Sequence, residues 1–346
     1  MTPINGSINR RIFLNPHIVG FFESGNFVIK EPNLKKSFII NPKLFCIILT
    51  ALKGFDEKEF STESLEVAKA IDFLLTNKVL IYASDPLFTR AYNSLLVQSN
   101  KYATQYLHTT MVNYPFLDYA DEESHNIDRE LMKKYAGLGK RPPAFKDYPL
   151  KNKIYLKSFN DFDWDILSDK KIHPNLDILG LFLSISYGKT MEILWPTHKI
   201  RKTVPSGGSK HPTEIYFLFT DNIYIPAGIY HYDVRNHALD ALNTRKNYLK
   251  QILRICGLKE TPKGCILIFY TSFFERSMWR YRDVRSTRAV LADIGHVAQG
   301  AQINADILDL VCRPQDNYDP AKIGKIFELD PYQESVLYTQ YLYAYE

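Results

Sequence analysis

The sequence predicts an α+β fold, a mixed sheet flanked by helices, preceded by a small winged-helix-like unit. Three observations predict it. Residues 1–90 read as short strands followed by helix, helix and strand. Further on, EIYFLF (214–219), GIYHYD (228–233) and the almost wholly apolar GCILIFYTSFF (264–274) read as strands, the last buried on both faces. The run from Arg288 to Leu310 reads as a long helix, apolar on most sides, which belongs in a domain centre or a dimer interface.

In the N-terminal part, IVGFF and FVIK flank the turn signal Glu23-Ser24-Gly25-Asn26. PKLFCIILTAL has helical periodicity and stops at Gly54, and Ser61 and Ser64 are candidate N-caps for SLEVAKAIDFLLTNK. VLIYA then reads as a strand. Residues 1–90 are expected to form a winged-helix-like domain for peptide docking or structural support. Residues 91–155 are expected to be a connector: NKYATQYLHTTM has some helical character, and the polar, then Pro- and Gly-rich stretch 119–149 reads as chain wrapping a domain. Residues 156–346 make the ligand-binding domain, opening with a helix from Leu176 to Tyr187 stopped at Gly188.

The 346 residues, 45% of them hydrophobic, suffice for two cores. The net charge of +5 is too mild for a nucleic-acid binder and suits an anionic ligand or acidic peptide. Cys46, Cys256, Cys265 and Cys312 form no C-x-x-C pair and read as reduced, buried thiols of a cytoplasmic protein. The N-terminus lacks an apolar signal region, and no apolar run is long enough to span a membrane.

The chemistry points to VPSGGSKHPTEIY, residues 204–216. Gly207 and Gly208 lack Cβ atoms, so the backbone beside Pro205 and Ser206 can approach a flat or anionic ligand. Arg201, four residues before Pro205, can reach an anionic oxygen. The same stretch is also an ordinary turn. In SMWRYRDVRSTRAVLADIGH (277–296), Arg280, Arg282, Arg285 and Arg288 interleave with Trp279 and Tyr281 before the long helix, an arrangement suited to phosphate capture or to a solvated turn. His296, alone on that helix, reads as a core histidine or a site residue. No phosphate-binding P-loop, H-E-x-x-H or G-x-S-x-G is present, so the chemistry is expected from a cofactor.

Three motifs in order carry a resemblance: R-x-x-x-P-S-G-G-x-x-H-P-x-E-x-Y, then P-A-G-I-Y-H-Y-D with H-A-L, then R-Y-R-D with D-I-G-H-V-A-Q. Together they resemble the SagB-type azoline dehydrogenases, a branch of the FMN-dependent nitroreductase superfamily. Weaker echoes are Tyr102-Ala103 to His108-Thr109 and PPAFKDYP. The resemblance implies a nitroreductase-like mixed sheet flanked by helices. It implies FMN-dependent oxidation of thiazolines or oxazolines to azoles in a ribosomally made peptide, by a homodimer associated with a YcaO-type cyclodehydratase. It places FMN contacts at Arg201, Pro205, Ser206, Gly207, Gly208, Arg282 and Arg288, and substrate or supporting contacts at Lys210, His211, Glu214 and His296.

This chain departs from the family at several positions. The catalytic Lys-Tyr pair is matched by Arg280 and Tyr281, and arginine stays protonated, leaving it to favour an ionised Tyr281 or to polarise a substrate carbonyl. Near Asp169 the family's R-x-S-x-R phosphate grip is replaced by Lys170 and Lys171, and YTQYLYAYE lacks the usual final arginine. Lys210 stands at a normally apolar position. Two further readings stay open: flavin chemistry on a different peptide group, and a degenerate scaffold of a peptide-modifying complex.

Overall fold

The structure, a computed structural model, describes residues 10–31, 36–60, 64–86, 88, 107–108, 110–112, 120–149, 153–165, 175–194, 199–220, 225–243, 246–259 and 264–344. The chain divides into two compact units, residues 1–118 and 119–346.

The first unit holds β1 (Arg11–Leu14), β2 (Val19–Glu23), β3 (Asn26–Glu31), β4 (Lys36–Ile39), α1 (Pro42–Ala51), β5 (Phe55–Asp56), α2 (Glu57–Phe60), α3 (Leu65–Thr76) and β6 (Leu80–Tyr82). β1 pairs antiparallel with both β5 and β6, while β2, β3 and β4 form a separate antiparallel meander. The β2–β3 turn falls on Ser24-Gly25, where the sequence carries its turn signal. Asn41 caps α1 through the Leu44 amide, 2.9 Å away, with Pro42 in the first turn, where its missing N–H costs nothing. Ser64 sits at the N-cap of α3 without a side-chain cap bond. Ile12, Ile47, Ala51, Phe55, Leu74 and Leu80 form this unit's core.

The second unit begins with a correction. The stretch expected as connector contains α4 (Glu122–Leu138), a 17-residue helix started by Asp121, whose carboxylate accepts from the Glu123 and Ser124 amides at 3.3 Å. It was missed because its apolar residues are only partly covered: Ile127 and Leu138 are exposed, and only Ser124 is buried. The helix expected over 100–111 falls largely outside the described residues.

After α4 come β7 (Lys153–Tyr155), α5 (Leu176–Tyr187), β8 (Lys189–Ile193), β9 (Lys199–Lys202), β10 (Thr213–Phe219), β11 (Gly228–Asp233), β12 (Ala238–Asn243), α6 (Lys246–Ile255), β13 (Ile266–Phe273), α7 (Glu275–Met278), α8 (Arg285–Ile307), β14 (Leu310–Pro314), α9 (Pro320–Ile326) and β15 (Glu334–Ala344). Seven strands form one sheet in the order β14-β15-β13-β10-β11-β12-β7. β13 lies at its heart between β10 and β15, which explains why GCILIFYTSFF is apolar on both faces. The expected α+β class is observed. Its described strand pairings are antiparallel.

The pleat sends alternate residues to opposite faces. Ile215, Phe217 and Phe219 of β10 join a core shared with α5 and α8, whereas Tyr216 and Leu218 join a second core shared with α6 and α9. α5 is capped by Asn175 and buried along most of its length. It ends at Gly188, where any Cβ would fall 2.1 Å from the Ser184 carbonyl oxygen. Among the described residues no helix is long and apolar enough to cross a membrane. Cys256 and Cys265 are buried and Cys312 is half-buried, each thiol pushed up to about 12 by burial. Cys46, expected to be buried, is exposed on α1.

Candidate functional site

The glycine loop between β9 and β10 is held from below by α8. Asp293, on the inner face of α8, accepts from the Ser206 hydroxyl at 2.6 Å and the Gly207 amide at 2.9 Å. Ser206 Oγ in turn accepts from the His211 amide at 2.8 Å, closing the loop on itself. The expectation that the Gly207 amide would be presented to a ligand is corrected here, since that N–H is given to Asp293. Gly208 has φ +60, and a Cβ there would lie 2.3 Å from the Tyr281 hydroxyl. The glycine is therefore required both by its left-handed backbone and by the tyrosine packed on it.

Tyr281 and its neighbours are supported by α4. The Arg280 guanidinium is ion-paired with Asp128 and lies 5.1 Å from the Tyr281 ring centroid. Arg282 lies 4.5 Å from the ring centroid of Tyr135, and Trp279 donates its indole N–H to the Gly139 carbonyl at 3.3 Å. Among the described residues the Tyr281 hydroxyl has no hydrogen-bond partner in the protein. Gly139, Lys140, Met278, Trp279, Tyr281 and Ser286 line an open groove of about 610 Å³ beside it.

Behind the loop, charge is buried in an alternating chain. Arg276 donates to the Pro143 carbonyl (2.9 Å) and the His211 carbonyl (3.1 Å), and pairs with Glu214. Glu214 contacts His231 Nε2 at 2.8 Å, and His231 Nδ1 contacts Asp240 at 3.3 Å. Lys153 closes the chain, 2.8 Å from Asp240 and also paired with Asp233. Burial alone would push the Glu214 carboxyl up, but Arg276, His231 and Lys202 hold it well below the usual carboxylate range. Burial works against a charged His231, yet its bonds to Asp240 and Glu214 outweigh this and raise its pKa. His211 is pulled down to about 3 by burial and by the Lys202 charge, so it is neutral at ordinary pH. Glu214 and His211 thus brace the loop from inside the fold and do not face solvent.

The other expected residues stand at the surface. Arg201 on β9, Pro205 and Gly207 in the loop, Arg282, and Arg288 on α8 are all exposed. His296, read as a core histidine or a site residue, is exposed on α8, as are Leu291, Ile303 and Ile307. Lys170 and Lys171 lie outside the described residues. Asp293, Arg276, His231 and Asp128 were not anticipated. Asp293 stands within the third motif, but its partners lie more than 80 residues away in sequence, and nothing local marks that pairing. No group of His, Cys, Asp or Glu among the described residues could hold a metal ion.

Part of this domain is similar to known proteins. Residues 184–342 match the nitroreductase family model. The trifolitoxin-processing protein TfxB of Rhizobium leguminosarum bv. trifolii is 36% identical over 170 residues, covering 47% of this chain and 45% of that one. A protein of Methanocaldococcus jannaschii named as a nitroreductase is 31% identical over 111 residues, covering 32% of this chain and 54% of its own. A solved structure from Anabaena variabilis, also named as a nitroreductase, superposes with a TM-score of 0.49 at 22% identity, over 62% of this chain and 46% of that one. The chain spans about half the length of the curated relatives it matches.

Proposed function

We propose, on the premise that residues 184–342 are a nitroreductase-family domain, that this chain is an FMN-dependent oxidoreductase. Its reaction is the oxidation of thiazoline or oxazoline rings to azoles in a ribosomally made precursor peptide. One observation carries the reading. The Tyr281 hydroxyl stands against Gly208 at the centre of the braced loop, beside an open groove and without a protein partner among the described residues. It is thereby placed to exchange a proton with a substrate. The likeness to a trifolitoxin-processing protein supports a natural-product substrate.

The residues around the loop suit a flavin nucleotide. Arg201, Arg282 and Arg288 offer charge to its phosphate, and the loop from Pro205 to Gly208 offers a narrow backbone surface to a flat ring. When bound, FMN supplies a hydride acceptor. In its phenolate form Tyr281 would take the proton that the azoline Cα loses and become the neutral phenol. Arg280, permanently charged and anchored by Asp128, orients the Tyr281 ring and polarises the carbonyl that acidifies that Cα–H. Exposed Leu291, Ile303 and Ile307 on α8 support a homodimer. A cyclodehydratase partner and a cytoplasmic setting accompany this reading.

Arg280 in place of the family lysine favours a second reading, the same cofactor serving another oxidation or reduction on a modified peptide. Purified protein loaded with FMN is incubated with a cyclised precursor peptide and followed by mass spectrometry. A loss of about 2 Da per ring, the two hydrogens removed, supports azoline oxidation. Flavin-loaded protein that leaves the mass unchanged sinks it in favour of the second reading. Protein that takes up no FMN is a scaffold.

A further inference from the structure

A second cavity, of about 230 Å³, opens beside the loop and is lined by Arg141, Pro142, Pro143, Lys199, Lys210 and Arg276 among others. Its four cations come from four separate stretches of sequence. Arg276 is neutralised by Glu214. Arg141, Lys199 and Lys210 have no carboxylate within ion-pair distance among the described residues, and no acidic side chain lines the cavity. Folded surfaces ordinarily intersperse the two signs of charge, so three like charges converging on one concavity call for a counter-charge. Pro142 and Pro143 stiffen one wall, and the other is the braced loop itself.

We propose that this cavity is an oxyanion subsite, holding a phosphate or carboxylate group between Arg141, Lys199 and Lys210. It accounts for Lys210, a cation at a position where the loop resemblance calls for an apolar residue. The cations are felt electrostatically: burial and then the charges of Arg141, Arg280 and Lys199 draw Lys210 down to about 8, as for a site whose counter-ion is an external ligand. The proposal stands on this geometry and does not depend on the flavin reading.

The test is calorimetric titration of the full-length chain with inorganic sulfate, an oxyanion that does not change protonation near neutral pH. Saturable binding is expected, weakened by about tenfold for each cation removed in Arg141→Ala and Lys199→Ala. At pH 8.5 binding should take up protons as Lys210 recharges, read as a dependence of the heat on buffer ionisation enthalpy, and Lys210→Met should abolish that uptake. Thermal unfolding of each variant checks that it is folded. Two arms identify the source of the oxyanion. If sulfate weakens the binding of FMN but not of riboflavin, followed by flavin fluorescence, the subsite takes a phosphate ester. If succinate displaces sulfate while FMN binding is untouched, it takes a substrate carboxylate. Absence of saturable sulfate binding up to about 10 mM, or equal binding by Arg141→Ala/Lys199→Ala, overturns the proposal.

Discussion

Gly208→Ala tests the packing of Tyr281 on the loop without touching the tyrosine. The new methyl group must adopt φ +60, which costs an alanine about 1–2 kcal/mol. It must also displace the Tyr281 hydroxyl, which stands only 2.3 Å from where that Cβ would lie, an overpacking cost of about 1–3 kcal/mol. The single substitution should therefore cost about 2–5 kcal/mol and lower the melting temperature by roughly 5–10 °C. In a Tyr281→Phe background the nearest ring atom is Cζ at 3.2 Å, so most of the overpacking disappears while the backbone strain stays. Urea unfolding of wild type, both single variants and the double variant closes the cycle, with an expected favourable coupling of about 1–2 kcal/mol. If the penalty of Gly208→Ala is the same in both backgrounds to within about 0.3 kcal/mol, the hydroxyl does not rest on the loop and the proton-exchange geometry fails with it.

Three further outcomes are expected. Tyr281→Phe should slow turnover by about 100-fold or more while flavin absorbance is retained, and an unchanged rate removes Tyr281 from proton transfer. Arg201→Ala should lower FMN occupancy of the purified protein, and full occupancy would remove Arg201 from the cofactor contacts. His211 is neutral when folded, with a pKa of about 3, while the unfolded chain takes up a proton below about pH 6.5. Native stability should thus fall as pH drops from about 6.5 to 4.5, by up to about 1.4 kcal/mol per pH unit. His211→Asn, which tolerates the φ of 46° at that position, should flatten this slope relative to wild type.

The strands carrying the site were legible because burial on a sheet leaves a local record. EIYFLF, GIYHYD and GCILIFYTSFF fall on β10, β11 and β13. The glycine loop was legible because a left-handed residue and a close side chain both demand glycine. What holds the loop was not. Asp293, Arg276, His231 and Asp240 act through partners brought together only by the tertiary fold, and each taken alone resembles an ordinary polar residue. The core alternative for His296 fails for a related reason. Leu291, Ile303 and Ile307 are exposed too, so hydrophobic periodicity could not tell an inward face from an outward one. α4 left the faintest trace because polar contacts to the arginine motif anchor it more than an apolar stripe does.

That anchoring has a consequence for where the working module begins. The family match starts at residue 184, yet Asp128 and Tyr135 sit some fifty residues upstream. A fragment trimmed to the matched region would remove the Asp128 carboxylate that pairs with Arg280, the Tyr135 ring beside Arg282 and the edge strand β7. A transplant or minimised version of this protein therefore has to start no later than Asp121.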